Sequence, residues 1–384
     1  MKTKILFVNG NLAVGGVERA LVNLLNGFDN EKYEVDVLLL QSGYDYENEL
    51  PSSINVIKRD TADAYGPLIR TLINAVRTRD CFSLGLRLCI LLGKSWFRLL
   101  KKSFGIKKSY DLAISFRPGF CEDIVLNVVS AKKKFTWWHN GDFNIAISKS
   151  HLLSNWAKFD RVITVSSGIA EQLKLLSDDI ASKLAIVPNI IDPETVSEMA
   201  GDVNPYRQSE VLKIITVSRL SKEKNLLLII DIARELKKLH IDFVWNIIGD
   251  GDIRPFLEAA IEQYNLSKEV ILQGKEDNPY PWIKHADIMV HPSRVESFGI
   301  VLLEAMALGV PCVSAKSLGA MDLIDGANGL ILEDTPVEMA ESIVGIINNQ
   351  ELYVSLCNSG MDTANRYTAK AILPTLEDLI FSDN

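Results

Sequence analysis

Two carboxylates, Glu296 and Glu304, stand with seven residues between them in the run His291-Pro-Ser-Arg-Val-Glu-Ser-Phe-Gly-Ile-Val-Leu-Leu-Glu-Ala-Met-Ala-Leu-Gly-Val-Pro-Cys-Val-Ser314. The pattern predicts a strand ending at His291 or Pro292, a loop carrying Glu296, and a helix from about Gly299 to Leu308. Gly309 suits the position just past that helix, and Pro311 stops it. The helix N-terminus offers free N–H groups and the positive end of a dipole, a ready site for a phosphate. The helix is apolar nearly all round, so it should be buried, yet it carries Glu304. A buried carboxylate needs donors, such as ligand hydroxyls or a cation; the competing reading is a core helix whose Glu pairs with a structural Arg. Farther upstream, Val217-Ser-Arg-Leu-Ser-Lys-Glu-Lys-Asn225 places Arg219 and Lys224 between a strand and a helix. Two cations there could flank a diphosphate and stabilise a leaving group as its charge grows. Solvated surface charge is the alternative.

Three shorter segments carry weaker signals. Gly15-Gly16-Val-Glu-Arg19 lies between the first strand and first helix. There a glycine pair brings backbone N–H groups near a phosphate, or simply makes a tight turn. Glu18 and Arg19 are expected to serve the helix and the domain rather than the chemistry. Trp137-Trp-His-Asn140 ends a strand at His139, although a lone His is more often structural. Gly249-Asp-Gly-Asp252 mimics an Asp-x-Asp metal motif, but its carboxylates equally suit the first turn of a helix. The same segment fails as a dinucleotide fingerprint because Arg254 and Pro255 follow, and Val35–Leu40 lacks a terminal acid for an NAD ribose. Neither a metal nor a cofactor is expected.

The elements that must position these residues alternate along the chain. Lys4–Asn9, Val35–Leu40, Asp111–Ser115, Lys134–Trp138, Arg161–Ser166 and Leu184–Pro188 read as strands, with helices such as Gly16–Gly27 and Ser167–Leu176 between them. The pattern restarts with Leu212–Ser218, Phe243–Gly249, Val270–Gly274, Asp287–Pro292, Pro311–Ala315 and Gly329–Leu332. Near-continuous apolar strands in βα alternation imply buried parallel sheets covered by helices. A chain of 384 residues exceeds one ordinary core. Two Rossmann-like α/β domains are therefore expected, residues 1–190 and 211–366. A polar linker over 191–210 joins them, and in such sheets ligands bind beyond the strand carboxyl ends.

With both its carboxylates and their setting in view, Glu296-Ser-Phe-Gly-Ile-Val-Leu-Leu-Glu304 resembles the E-x7-E signature of retaining GT-B glycosyltransferases of family 4, the glycosyl transferases group 1. That resemblance implies a GT-B fold, with two Rossmann-like domains facing across a cleft and a C-terminal helix over 367–384 crossing back to the first. It implies that Glu304 holds the nucleotide ribose and that Glu296 meets the donor sugar. The N–H groups of Phe298, Gly299 and Ile300 would face sugar and diphosphate, with Gly15, Gly16, Gly274, Lys275 and Ser297 completing the donor site. His139, Arg219, Lys224 and Glu296 form the implied catalytic set, and the turnover is retaining and metal-independent. The family's usual glycines before the Arg and after the Lys are Ser218 and Asn225 here, which leaves both cations in place. The implied donor is a nucleotide-diphosphate sugar, with UDP the default. The implied acceptor is a glycan or a lipid-linked glycan of cell-surface polysaccharide synthesis. Sugar-nucleotide epimerases share the fold, and a non-catalytic binding subunit is the other rival.

Composition limits the rest. The chain is 47% hydrophobic and 23% charged with a net charge of −8, which suits a folded soluble protein. Ten of its cations fall between Gly66 and Tyr110 against Asp80 alone. One basic segment on an acidic protein points to a local partner rather than to nucleic acid. Its apolar and aromatic residues suit an amphipathic helix at an anionic membrane surface, a lid over a lipid-linked acceptor, or an insertion packed on the first domain. Five scattered cysteines without a C-x-x-C pair argue for a reducing compartment. No run reaches the length of a membrane span, so the expected location is cytoplasmic, peripheral on the inner face of the membrane.

Overall fold

The computed structural model describes residues 2–61, 86, 104–106, 108–141, 149–206 and 210–382. Its first sheet is built from β1 (Thr3–Asn9), β2 (Tyr33–Leu39), β3 (Asn55–Lys58), β4 (Tyr110–Ser115), β5 (Ala131–Trp138), β6 (Arg161–Thr164) and β7 (Leu184–Ile186). These seven run parallel in the order β3-β2-β1-β4-β5-β6-β7. The second sheet comprises β8 (Leu212–Val217), β9 (Phe243–Ile248), β10 (Val270–Gly274), β11 (Ile288–His291), β12 (Cys312–Ala315) and β13 (Leu330–Leu332). It is also parallel, in the order β10-β9-β8-β11-β12-β13. Both orders reverse direction once, between β1 and β4 and between β8 and β11. Such a switch point opens a crevice at the strand carboxyl ends, because the connecting helices leave to opposite faces.

The central strands bury nearly every side chain, as expected for sheets covered on both faces. One apolar cluster joins the facing sides of both domains, from Phe7 and Trp137 to Phe298, Leu303 and Leu376. Two more fill the outer faces, one per sheet. The edge strand β3 was not anticipated, because its four residues are only partly covered and carry no continuous apolar run.

The stretch over 191–210, read as an irregular polar linker, contains the helix Pro193–Ala200. Asp192 caps it, accepting from the N–H groups of Glu194 and Thr195, and Pro193 occupies the first turn. Both are local start signals that the polar composition obscured. The C-terminal helix Ala369–Phe381 lies on the first domain: Tyr33 Oη donates to Glu377 at 2.8 Å, and Lys133 Nζ donates to the carbonyl of Ile380 at 2.9 Å. The two chain crossings between domains touch, with the Ile191 N–H donating to the Tyr367 carbonyl at 2.9 Å.

Most of the basic segment lies outside the described residues. Of its cations, Lys108 is held by Glu34 and by Asp36, the latter at 3.0 Å, so this one neutralises acids of its own domain. No helix among the described residues is long and apolar enough to cross a membrane.

Candidate active site

A cleft of about 1260 Å³ runs between the domains, lined by the loops that follow both switch-point strand pairs. On the second-domain wall, the loop after β11 carries Glu296 to Phe298, and Gly299 begins the helix Ile300–Ala307 in the left-handed region, with φ 91°. That backbone suits glycine alone among common choices. The helix has no side-chain cap, so its first N–H groups remain available to a ligand. The loop is clamped from behind by the helix Leu318–Leu323: the Gly319 N–H donates to the Glu296 carbonyl at 3.0 Å. A Cβ at Gly319 would sit 2.3 Å from the Phe298 nitrogen, so only glycine allows this approach.

Glu296 is partly buried, with 16% of its side chain exposed. Burial alone would push its pKa up, but Lys224 and His291 outweigh that and hold it well below the usual carboxylate range. Lys224 Nζ lies 2.6 Å from Glu296 Oε2, and His291 Nε2 lies 3.3 Å from the same oxygen. Lys224 ends a short 3-10 turn followed by Asn225 at φ 51°. Asn tolerates this left-handed conformation better than most residues, which explains why it can stand where the resembled family has glycine. Arg219, expected beside Lys224, lines the cleft but is 71% exposed and pairs with Glu223 at 3.3 Å. The two cations are thus not equivalent: one is locked onto Glu296, and the other is solvated at the rim.

Glu304 is buried on the helix, and burial pushes its pKa up; Tyr280 and Arg19 act against that rise. Tyr280 Oη donates to Glu304 Oε1 at 2.9 Å. The expected need of this carboxylate for donors is therefore half met by the protein, leaving Oε2 for a ligand.

One sequence expectation needs correction. Gly274 does not line the cleft; its φ of 88° and its carbonyl, which accepts from the Gly249 N–H at 2.7 Å, make it part of a backbone bridge. Lys275, next along, does line it. The glycines of Gly249-Asp-Gly-Asp252 have a packing role. A Cβ on Gly251 would lie 2.3 Å from the Leu220 carbonyl oxygen, and one on Gly249 would lie 1.9 Å from that of Ser218. These glycines let two loops pack backbone to backbone. Asp250 accepts from the Gly251 N–H and faces Arg254 at 3.9 Å.

The first-domain wall brings Gly15 and Gly16 to the end of the helix Gly16–Asn26, which also lacks a side-chain cap. A Cβ on Gly16 would meet nothing within 4 Å, so the glycine leaves open space rather than relieving a clash. His139 stacks against Trp137 and packs on Phe116, with ring centroids 5.7 and 4.4 Å apart. Burial, with Arg117 adding to it, pushes its pKa down to about 3, so it enters the cleft as a neutral ring. Gly141 comes so close to the opposite loop that a Cβ there would lie 3.0 Å from the Glu296 carbonyl carbon.

Sequence reasoning missed Tyr280, His291, Arg117 and the cleft role of Arg19. Tyr280 and Arg117 carry no motif. His291 was seen only as a strand end. Arg19 had a signal: a cation near the positive end of a helix dipole is disfavoured and asks for a reason.

Comparison with known proteins agrees with this fold. Residues 205–361 match the family model of the glycosyl transferases group 1. An uncharacterized glycosyltransferase of Methanocaldococcus jannaschii is 27% identical over 212 residues, which is 54% of this chain and 56% of that protein. The chain thus spans about half of that relative. A Campylobacter jejuni protein, N-acetylgalactosamine-N,N'-diacetylbacillosaminyl-diphospho-undecaprenol 4-alpha-N-acetylgalactosaminyltransferase, is 25% identical over 93% of both chains. Among solved structures, a mutant of S. aureus TarM in complex with Fondaparinux, alpha-GlcNAc-glycerol and UDP superposes with a TM-score of 0.73 at 16% identity, over 99% of this chain and 100% of that one. The two parallel-sheet domains make a GT-B fold, and the second of them matches the model of the glycosyl transferases group 1.

Proposed function

We propose that this protein is a retaining, metal-independent family 4 glycosyltransferase that moves a sugar from a UDP-sugar to a glycan or lipid-linked acceptor during cell-surface polysaccharide synthesis. It works in the cytoplasm, peripherally on the inner face of the membrane. The observation that carries the reading is the Lys224–Glu296 pair at 2.6 Å, set in an interdomain cleft beside an uncapped helix N-terminus. A donor diphosphate would draw Lys224 from Glu296 and rest on the N–H groups at Gly299 and Ile300, with Arg219 swinging in from the rim. Glu296, freed on one side, would accept from the sugar hydroxyls, while Glu304 Oε2 accepts from the ribose. Gly16 leaves room for a phosphate on the opposite wall, and neutral His139 would offer a hydrogen bond to the sugar rather than a charge.

The chemistry needs no protein nucleophile. The bond from the anomeric carbon to the β-phosphate oxygen breaks as the acceptor oxygen attacks from the same face. The acceptor proton passes to the departing phosphate oxygen, and the nucleoside diphosphate leaves. Catalysis is then positioning plus stabilisation of the charge on the diphosphate. Support for the donor and acceptor classes comes from relatives: UDP and alpha-GlcNAc-glycerol in the TarM complex, and a diphospho-undecaprenol acceptor in the name of the Campylobacter jejuni protein. The test is a radiolabelled UDP-hexose panel with undecaprenyl-diphosphate-linked acceptors, in the presence and absence of EDTA. Labelled acceptor of retained anomeric configuration, with UDP released in both conditions, is expected. Label that stays on the nucleotide with altered configuration would replace transfer by epimerisation.

A further inference from the structure

Arg19 belongs to the first domain, yet it is buried in the same cleft that Tyr280 and Glu304 of the second domain line. Its guanidinium sits 4.0 Å from the centroid of the Tyr46 ring and is forked onto both carboxylate oxygens of Glu49. Tyr46, Arg19, Tyr280 and Glu304 all line the cleft, all are less than a tenth exposed, and each domain supplies two of them. Tyr280 is itself fixed: its N–H donates to Asn278 Oδ1, and the Asn278 amide donates to the Met199 carbonyl. A buried carboxylate with one neutral donor is under strong pressure to take up a proton, and a cation within reach relieves that pressure.

We propose that Arg19 and Tyr280 are positioning residues that keep Glu304 ionised and its free oxygen aimed into the cleft, so that nucleotide recognition by the second domain depends on a cation supplied by the first. The inference rests on the reading that Glu304 accepts from a ribose. A protonated Glu304 would present a donor where the ribose needs an acceptor, and a hydrogen bond to a charged group would be exchanged for a weaker neutral one. Domain closure and nucleotide binding are thereby linked: an open cleft carries Arg19 away, and Glu304 drifts toward its neutral form. The titratable groups facing Glu304 are Tyr280, Arg19 and Tyr46, with Glu49 behind Arg19. Glu194 and Glu198 on the neighbouring helix, and Asp362 on the helix Gln350–Asn365, are exposed to solvent.

The experiment is calorimetric titration of the full chain with UDP and with 2′,3′-dideoxy-UDP from pH 5.5 to 8.5. The variants are Arg19→Met, Arg19→Lys, Tyr280→Phe and the charge-balanced Arg19→Met/Glu49→Gln pair, which avoids an unpaired Glu49. Wild type should prefer UDP throughout most of the range. In Arg19→Met, in the balanced pair and in Tyr280→Phe, that preference should fall about tenfold at pH 6 and return toward the wild-type ratio at pH 8.5. Arg19→Lys should stay near wild type. A preference unchanged at pH 6 in the balanced pair and in Tyr280→Phe overturns the inference, as does a loss of equal size at every pH, which is what mere packing damage gives. Wild type that fails to distinguish the two nucleotides at any pH overturns the ribose role of Glu304 itself, and the inference with it.

Discussion

The two walls of the cleft are built by different rules. On the second-domain wall, one strand, one loop and one helix within residues 288–307 supply Glu296, the helix N-terminus and Glu304. The first-domain wall is assembled from separate strand ends, with Gly16 after β1, Arg117 after β4 and His139 after β5. A contiguous site writes itself into the chain as a motif, whereas a dispersed one exists only once the sheet has formed. The walls also differ in charge. The second holds its anion and cation locked together, and the first holds Arg19 on Glu49 and Arg117 on Glu18, acids of its own domain.

The sharpest way to break this comparison is to remove the locked cation. Lys224→Ala should lower turnover at least a hundredfold, on the scale of one lost transition-state donor, while Arg219→Ala, starting from the rim, should cost about tenfold; steady-state kinetics with saturating acceptor would show whether the order reverses. Glycines on the two walls should respond oppositely. Gly249→Ala forces a Cβ onto the Ser218 carbonyl at φ 135° and should destabilise the second domain by about 3 kcal/mol. Gly16→Ala meets open space, so thermal unfolding should be unchanged while the KM for donor rises about tenfold.

His139 gives a pH test of the first wall. Its folded pKa lies near 3, below the unfolded value of about 6.5. The stability tied to its neutral form is thus complete above pH 6.5 and is lost as pH falls toward 3. By pH 4.5 the loss should be about 2–3 kcal/mol, and His139→Gln should show a shallower decline of Tm between pH 7 and 4.5. The smallest effect belongs to the exposed contact between walls, where Ser167 Oγ donates to Asp322 Oδ1 at 2.7 Å. Asp322→Asn should change stability by less than about 1 kcal/mol; a larger drop would mean that this contact clamps the Glu296 loop through the helix Leu318–Leu323.

Much of the fold was legible because parallel strands buried on both faces leave apolar runs that no other element explains, as in Leu6–Val8 and Ile288–Val290. The helix Pro193–Ala200 escaped notice because its start signal is two residues long and its exposed face is polar. At the site, Glu304 was conspicuous as a carboxylate on an all-apolar helix, whereas Glu296 stood out only through the resemblance to the E-x7-E signature. Their partners were not legible. Tyr280 is 24 positions from Glu304, and Arg19 is 285 away on another domain. No local pattern encodes such a meeting; it follows from where two sheets present their carboxyl ends.

The hydrogen bond from Ile191 to the carbonyl of Tyr367 has a mechanical consequence. A body tied by a single flexible strand can tumble about any direction, but two tethers fastened side by side leave one easy axis. The outgoing and returning chains of this protein are such a pair. The lobes should therefore move like a book on its spine, with the displacement growing with distance from that seam. Small angular changes at Ile191 would become the largest openings at the outer lip of the cleft, where a bulky substrate must enter.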